Sequence, residues 1–269
     1  MKYLILGSSG QIGSSLVKFY KNNSTAFIEF DIANDDSQDL RIKDNPKLIS
    51  ALEKVDFVFF LAFDVGGSKY LKNHQKDKSF INNNLAIMYN TFNLLDQYKK
   101  PFIFSSSQMS DMSYSVYGTL KKIGEHYTEL IGGTNVRFWN VYGKETYDEK
   151  SHVITDFIKK AKDGRIEMLT SGGEERQFLY VDDCCKCLDI LSKNPSLQKE
   201  SFDITNFEWT NINKIAEIVK NYIPCEIVVG KDNDSVQLDM RNEPKTQILK
   251  YWQPSTSIED GIRACIEEN

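Results

Sequence analysis

The sequence predicts an α/β fold, a doubly wound parallel sheet with helices on both faces and a smaller α/β part after it. Three observations predict this. Over the first half, short runs that are apolar throughout alternate with longer amphipathic stretches. A glycine-rich turn follows the first run directly. After about Gly143 the alternation loosens with no Pro/Ser-rich linker, so the second part should pack directly on the first. Strands apolar on both sides and separated by helices suit a sheet buried on two faces.

The elements are expected in this order. Tyr3 to Leu6 is the first strand, and a helix follows over Gln11 to Lys21. Ala26 to Phe30 and Phe57 to Ala62 are the next strands. A long helix runs from about Lys76 to Tyr98, with Leu85, Met88, Phe92 and Leu95 at the three-and-four spacing of one face. Phe102 to Phe104 is a strand, residues 115–130 a helix, and Asn135 to Trp139 the fifth strand. Beyond Gly143 come a helix over Ser151 to Lys162, a strand over Arg165 to Thr170 and a turn at Gly172-Gly173. Thr210 is placed to cap a helix whose apolar face is Ile212, Ile215, Ala216, Val219 and Tyr222. Cys225 to Val229 reads as a strand and Ser257 to Glu268 as the last helix. The division expected is residues 1–143 and residues 144–269, the second part interleaved with the first.

Composition bounds the function. With 269 residues, 41% hydrophobic and 26% charged, a buried core and a solvated surface both fit. Disordered, collagen-like and coiled-coil classes are excluded. A net charge of −5 lacks the footprint of a general nucleic-acid binder. The run Phe57 to Phe63 has seven residues, against roughly 20 for a membrane span. The chain reaches Gly7 before a signal-peptide core could form. Five cysteines without framework spacing and three histidines without ligand spacing argue for free thiols and no metal site. A cytoplasmic protein is the expectation.

Gly7-Ser-Ser-Gly10-Gln-Ile-Gly13 sits between the first strand and its helix. Glycines there allow a tight turn and bring backbone close to a pyrophosphate resting on the helix N-terminus. Asp31 follows the second strand, 18 residues past Gly13. A carboxylate at that place accepts from ribose hydroxyls and repels a 2′-phosphate, which favours NAD over NADP. The sheet is therefore expected to be of Rossmann type.

A second constellation is Ser105-Ser106-Ser107 at the end of the fourth strand, then Tyr117-Gly-Thr-Leu-Lys121. On a helix, positions 117 and 121 lie one turn apart on one face. An ammonium beside a phenol is expected to lower its pKa. The phenol can then exchange a proton with a sugar hydroxyl while hydride moves to or from a nicotinamide. Tyr114 has Gly118 four residues on, so Tyr117 is the candidate.

With these motifs the chain resembles the extended short-chain dehydrogenase/reductases, the NAD-dependent nucleotide-sugar epimerases, dehydratases and reductases. The likeness continues in Arg137-Phe-Trp-Asn140-Val-Tyr-Gly143, in Arg176-Gln-Phe-Leu-Tyr-Val-Asp-Asp183 and in Trp252-Gln-Pro254. The resemblance implies that Gly7, Gly10, Gln11 and Ile12 cradle the pyrophosphate and Asp31 the ribose. It puts Asp39 and Leu40 at the adenine, Leu61 and Ala62 along the cofactor, and Lys121 on the nicotinamide ribose. Asn140 and Arg176 would hold the substrate phosphates, with Arg241 as a second phosphate contact. The two long first-half helices would form a four-helix bundle in a homodimer.

Val65-Gly66-Gly67 and Ser151-His152-Val153-Ile154 are similar to segments of the GDP-fucose synthase and GDP-mannose 3,5-epimerase branches. Where the former has a cysteine after its serine, this chain has Gln108, and where dehydratases have Asp-Glu it has Gln108-Met109. His152 reads as an acid, a substrate hydrogen-bond donor or a helix-start residue. Nine residues separate Ser107 from Tyr117, which suggests an open sugar pocket. The expected activity is hydride transfer at C4 of a nucleotide-linked sugar, with a GDP-sugar favoured, in surface glycan precursor synthesis. Ser107, Tyr117 and Lys121 would be catalytic. A C4 epimerase that keeps its NAD is the near rival. A non-catalytic NAD-binding sensor is the rival of another class, and the intact Ser/Tyr/Lys set speaks against it.

Overall fold

A computed structural model describes residues 1–145, 149–238 and 242–268. In chain order the first half contains β1 (Tyr3–Leu6), α1 (Gln11–Asn22), β2 (Phe27–Phe30), α2 (Pro46–Leu52) and β3 (Phe57–Phe60). It goes on with α3 (Ser68–His74), α4 (Lys78–Gln97), β4 (Phe102–Ser107), α5 (Val116–Ile131), β5 (Thr134–Phe138) and β6 (Asn140–Tyr142). The second half adds α6 (Val153–Lys162), β7 (Arg165–Glu167), β8 (Glu175–Tyr180), α7 (Val181–Lys193) and β9 (Ser201–Ile204). After these come β10 (Trp209–Asn211), α8 (Ile212–Tyr222), β11 (Glu226–Val228) and α9 (Ile258–Glu268).

The architecture is the doubly wound one that the sequence predicts. Six strands form one parallel sheet in the order β2-β1-β3-β4-β5-β9. Successive side chains of a strand point to opposite faces, so both faces must be apolar to be covered. Tyr3, Ile5, Phe57 and Phe59 accordingly pack with α1 and the second half. Leu4, Leu6, Val58 and Phe60 pack on the other face with Phe92, Phe104 and Leu120. The order reverses between β1 and β3, which opens a crevice at the carboxyl ends of the strands, where such folds take ligands. From the second half, β9 closes the sheet edge beside β5, and α7 packs against α1. A three-stranded sheet (β10-β8-β6) joins the last strand of the first half to two strands of the second, and a two-stranded one (β11-β7) lies within the second half.

Local expectations differ in three places. Asn211, not Thr210, caps α8, its side chain accepting from the Lys214 N–H at 2.8 Å, while Thr210 is drawn into β10. The long stretch forms the single helix α4, as expected, but its buried stripe runs through Phe80, Asn84, Met88, Phe92 and Leu95. Leu85 falls off that stripe and is exposed, as is Tyr222 at the end of α8.

Candidate active site

The glycine turn is built by close packing. Gly7 has φ +86°, a left-handed conformation, and a Cβ there would come within 2.7 Å of the Ala62 nitrogen. A Cβ on Gly13 would collide with the Gly7 carbonyl, so α1 lies directly on the turn. Gly10 is different: a Cβ would meet only the Gly7 oxygen, at 3.5 Å, so nothing inside the fold requires glycine there. Gly10 is also the N-cap of α1 and offers no side-chain cap. The helix therefore presents uncapped N–H groups and their positive dipole end to a bare backbone surface. Gln11 has a buried amide nitrogen with no partner. A bare cradle, free helix N–H groups and an orphaned donor together fit a dinucleotide pyrophosphate.

Asp31 follows β2 and accepts from the Ser9 and Ala33 N–H groups, each at 2.9 Å, which ties it to the glycine turn. Farther along, Arg41 pairs with Asp39 at 2.8 Å and holds its carboxyl below the usual range. Leu40 beside it is buried. Gly10, Gln11, Ile12, Asp31, Asp39 and Leu40 line one cleft of about 1370 Å³. Gly7, Leu61, Ala62, Ser107, Tyr117 and Lys121 line the same cleft, and so do Asn140 and His152.

Ser115 starts α5 by accepting from the Gly118 N–H, and helical spacing then stacks Tyr117 and Lys121 on one buried face. The Ser107 hydroxyl, at the end of β4, accepts from the Met109 N–H at 3.2 Å. Burial pushes the Tyr117 phenol up to about 12, and its hydrogen bond with Ser107 only partly opposes this. Burial also pushes Lys121 down to about 7, with the Glu125 carboxylate pulling it back up. The expected lowering of the phenol by its ammonium neighbour is therefore corrected. Lys121 donates to the Ser105 carbonyl at 2.5 Å and sits 3.7 Å from the Phe63 ring centroid, so burial rather than charge sets the phenol.

The phosphate set assembles only in part. The Asn140 amide lines the cleft and donates to the Gln177 carbonyl at 3.1 Å. Arg176 does not line the cleft; it lies beside it on a small space of about 10 Å³. There it pairs with Asp234 at 2.6 Å and donates to the Leu238 carbonyl at 3.1 Å. Arg241 lies outside the described residues. His152 is the N-cap of α6, and its Nδ1 lies 2.7 Å from Glu145. The same carboxylate accepts from the His152 backbone N–H, so Glu145 fixes the ring's direction.

The short segment between Ser107 and Tyr117 is met by a distant part of the chain. Val236 packs into the core on that side, and Gln237 lines the cleft. Gln108 donates to Gln237 at 3.2 Å and accepts from Asn242 at 3.1 Å, while the Tyr114 hydroxyl donates to the Gln237 carbonyl at 2.8 Å. A distant segment thus packs against the short one beside the cleft.

Asp64 and Lys150 escaped sequence reasoning. They pair at 2.8 Å across 86 positions and join the loop after β3 to the loop before α6, both lining the cleft. The Gly67 N–H donates to the Lys150 carbonyl at 2.7 Å and strengthens that link. No local pattern marks such a pair.

Residues 3–206 match the family model described as the NAD dependent epimerase/dehydratase family. The chain is 25% identical to GDP-mannose 3,5-epimerase 1 of Oryza sativa subsp. indica over 98% of this chain and 80% of that protein. It is 29% identical to GDP-L-fucose synthase of Sinorhizobium fredii over 48% of this chain and 44% of that one. In fold it is similar to the UDP-glucose 4-epimerase of Thermus thermophilus solved with NAD. That TM-score is 0.82 at 16% identity, covering 99% of this chain and 98% of that one.

Proposed function

The chain belongs to the NAD-dependent epimerase/dehydratase family, enzymes of the short-chain dehydrogenase/reductase type, and from that premise we propose that it moves hydride at C4 of a nucleotide-linked sugar. One observation carries this reading: Ser107, Tyr117 and Lys121 meet the glycine turn in a single cleft at the carboxyl ends of the sheet. Bound NAD supplies hydride exchange when reduced or oxidised. The chain's own groups handle the proton and the oxygen. At neutral pH the phenol, held at about 12, keeps its proton. Tyr117 is thus set to give that proton to a 4-keto oxygen as hydride reaches C4, and to take it back in the reverse direction. The Ser107 hydroxyl holds the same oxygen, and Lys121 anchors the nicotinamide ribose. Asn140 faces the substrate phosphates, and His152, aimed by Glu145, reaches the sugar from the α6 side.

A GDP-sugar is the favoured substrate class, because two similar proteins act in their names on GDP-sugars. In this reading residues 1–143 hold NAD and residues 144–269 hold the nucleotide sugar, with β9 shared. C4 inversion with retained NAD is the second reading, since the same Ser107, Tyr117 and Lys121 in one cleft would serve it. Exposed Leu85 and Tyr89 on α4 and Ile123, Tyr127 and Leu130 on α5 supply an apolar face for a homodimer. The free cysteines, four of them buried, suit a reducing cytoplasm. Among the described residues no helix is long and apolar enough to cross a membrane.

The test is to supply GDP-sugars and UDP-sugars, with and without added NAD(H). C4 stereochemistry and NADH absorbance are followed together. Net NADH change with a C4 redox product supports the leading reading, and inversion without it supports the second. No turnover of either sugar class refutes both.

A further inference from the structure

Glu125 is almost fully buried on α5, four residues after Lys121 and eight after Tyr117. Its carboxylate accepts from the hydroxyls of Ser106 and Ser110, each at 2.7 Å. It also accepts from Arg137 Nε at 2.6 Å and Nη2 at 2.7 Å, and from Lys122 at 3.1 Å. Ser106 precedes Ser107 in β4, and Ser110 lies in the 3-10 turn Gln108–Asp111 that follows it. Arg137 is on β5, in register with Ser106, and reaches Asp111 of the same turn at 2.9 Å. One carboxylate therefore ties together the strand end, the turn, the neighbouring strand and the helix that carry the three reactive side chains.

A buried ion pair gains little net stability over an apolar pair of equal volume. Five donors converging on a carboxylate beside the reactive residues therefore call for a reason other than stability. Glu125 does not line the cleft, so it acts through its neighbours. Taking Ser107, Tyr117 and Lys121 as the hydride-transfer set proposed above, we propose that Glu125, clamped by Arg137, is a positioning residue. It fixes Ser107 opposite Tyr117 and places a negative charge one helical turn from Lys121.

The surroundings of Lys121 are few. Tyr117 and Glu125 come from its own helix, the Ser105 carbonyl from β4, and the Phe63 and Phe104 rings from the sheet side. Around Glu125 stand Arg137 from β5, with Asp203 of β9 behind it, Asp111 from the turn, and Lys122. Of these charges, Glu125 is the one acting on Lys121 against burial. Burial raises the Glu125 carboxyl, yet the hydrogen bonds from Arg137, Ser106 and Ser110 outweigh it and hold it at about 2. The charge therefore stays in place over the working pH range.

The experiment uses the full chain labelled with 13C-lysine. The Lys121 resonance is assigned by its loss in Lys121→Met, and its titration is followed beside the pH dependence of kcat. Glu125→Gln keeps the volume and removes the charge, but leaves Arg137 with only the more exposed Asp111 as its carboxylate partner. Glu125→Gln/Arg137→Met removes both charges and preserves folding should the single variant fail. Lys121 titrates near 7 in the native protein, at lower pH in both variants, and near the native value in Glu125→Asp. The lysine limb of kcat moves with it, and kcat falls about tenfold or more while KM stays within about twofold. An unmoved Lys121 titration in the double variant overturns the proposal, as does native kcat and pH profile with only a lowered Tm. If the native protein turns over no nucleotide sugar, the functional reading fails and the NMR titration still decides the role of Glu125.

Discussion

Replacing Lys121 with methionine should stabilise the protein, and most strongly at pH 7 and below. Burial holds this lysine at about 7 against its usual 10.5. The gap of about 3.5 units corresponds to about 5 kcal/mol. The unfolded chain keeps the proton up to 10.5 and the folded one only to about 7, so between these values the unfolded state binds more protons. Native stability therefore rises with pH across that window, and the full penalty applies below it. Methionine removes the charge but deprives the Ser105 carbonyl of its donor, which costs about 1–3 kcal/mol. A net gain of about 2–4 kcal/mol remains at pH 6, or about 5–10 °C in Tm for a chain of this size. Between about pH 8 and 10 the order should invert, because the remaining penalty falls below the value of the hydrogen bond that neutral lysine still donates to Ser105. Thermal unfolding followed by circular dichroism from pH 6 to 10, at constant ionic strength and without added nucleotide, checks this. A variant less stable than the native protein at pH 6, or an advantage that does not change with pH, refutes the reasoning. Activity should be lost throughout, since a buried reactive group trades stability for function.

Three further outcomes are expected. Tyr117→Phe should cut turnover about 10²–10⁴-fold while NAD affinity by calorimetry stays near native; a native rate would remove Tyr117 from the chemistry. Asp234→Asn should free Arg176 from its 2.6 Å ion pair and tighten GDP binding about tenfold, and unchanged or weaker binding by titration calorimetry argues that Arg176 never receives the diphosphate. Acid should unfold the protein partly through Glu125, whose carboxyl lies at about 2 when folded against a usual 4.5. Its contribution, about 3 kcal/mol, is complete above 4.5 and vanishes as pH falls through 2. Urea unfolding of Glu125→Gln/Arg137→Met should therefore show a shallower fall in stability between pH 5 and 3 than the native protein.

Features that depend on neighbours in sequence were legible. The unbroken apolar character of Tyr3 to Leu6 and Phe57 to Phe60 is a property of each strand and reports burial on both faces. The glycine turn and the Tyr117–Lys121 spacing are likewise local, and the structure brings them to one cleft. Helix faces and caps were harder, because a shift of one residue rotates the stripe by about 100°. That rotation leaves Leu85 outside, and at α8 the same one-residue sensitivity moves the cap from Thr210 to Asn211. Glu125 was within reach of the same helical spacing that exposed Lys121, but a glutamate at that spacing reads as a surface residue until Arg137 is seen across from it.

Charge in the site follows a rule that spacing does not encode. Arg176 carries a motif's charge, yet in the fold that charge is already answered by Asp234, 58 positions away. The phenol behaves in the same way: an ammonium four residues on predicts a lowered pKa, but the ammonium turns to Ser105 and Phe63, and burial decides. Each side chain's chemistry was readable, whereas its partner was fixed by loops meeting over long separations, as Asp64 meets Lys150. If Arg176 is to take the substrate phosphate, as the family resemblance implies, that phosphate has to compete with a carboxylate already in place, not enter an unpaired cation site. On that reading the competition carries a cost to binding that Asp234→Asn should remove, and it would bring the 234–238 segment into substrate selection, since Gln237 on the same segment lines the cleft and meets Gln108 next to Ser107.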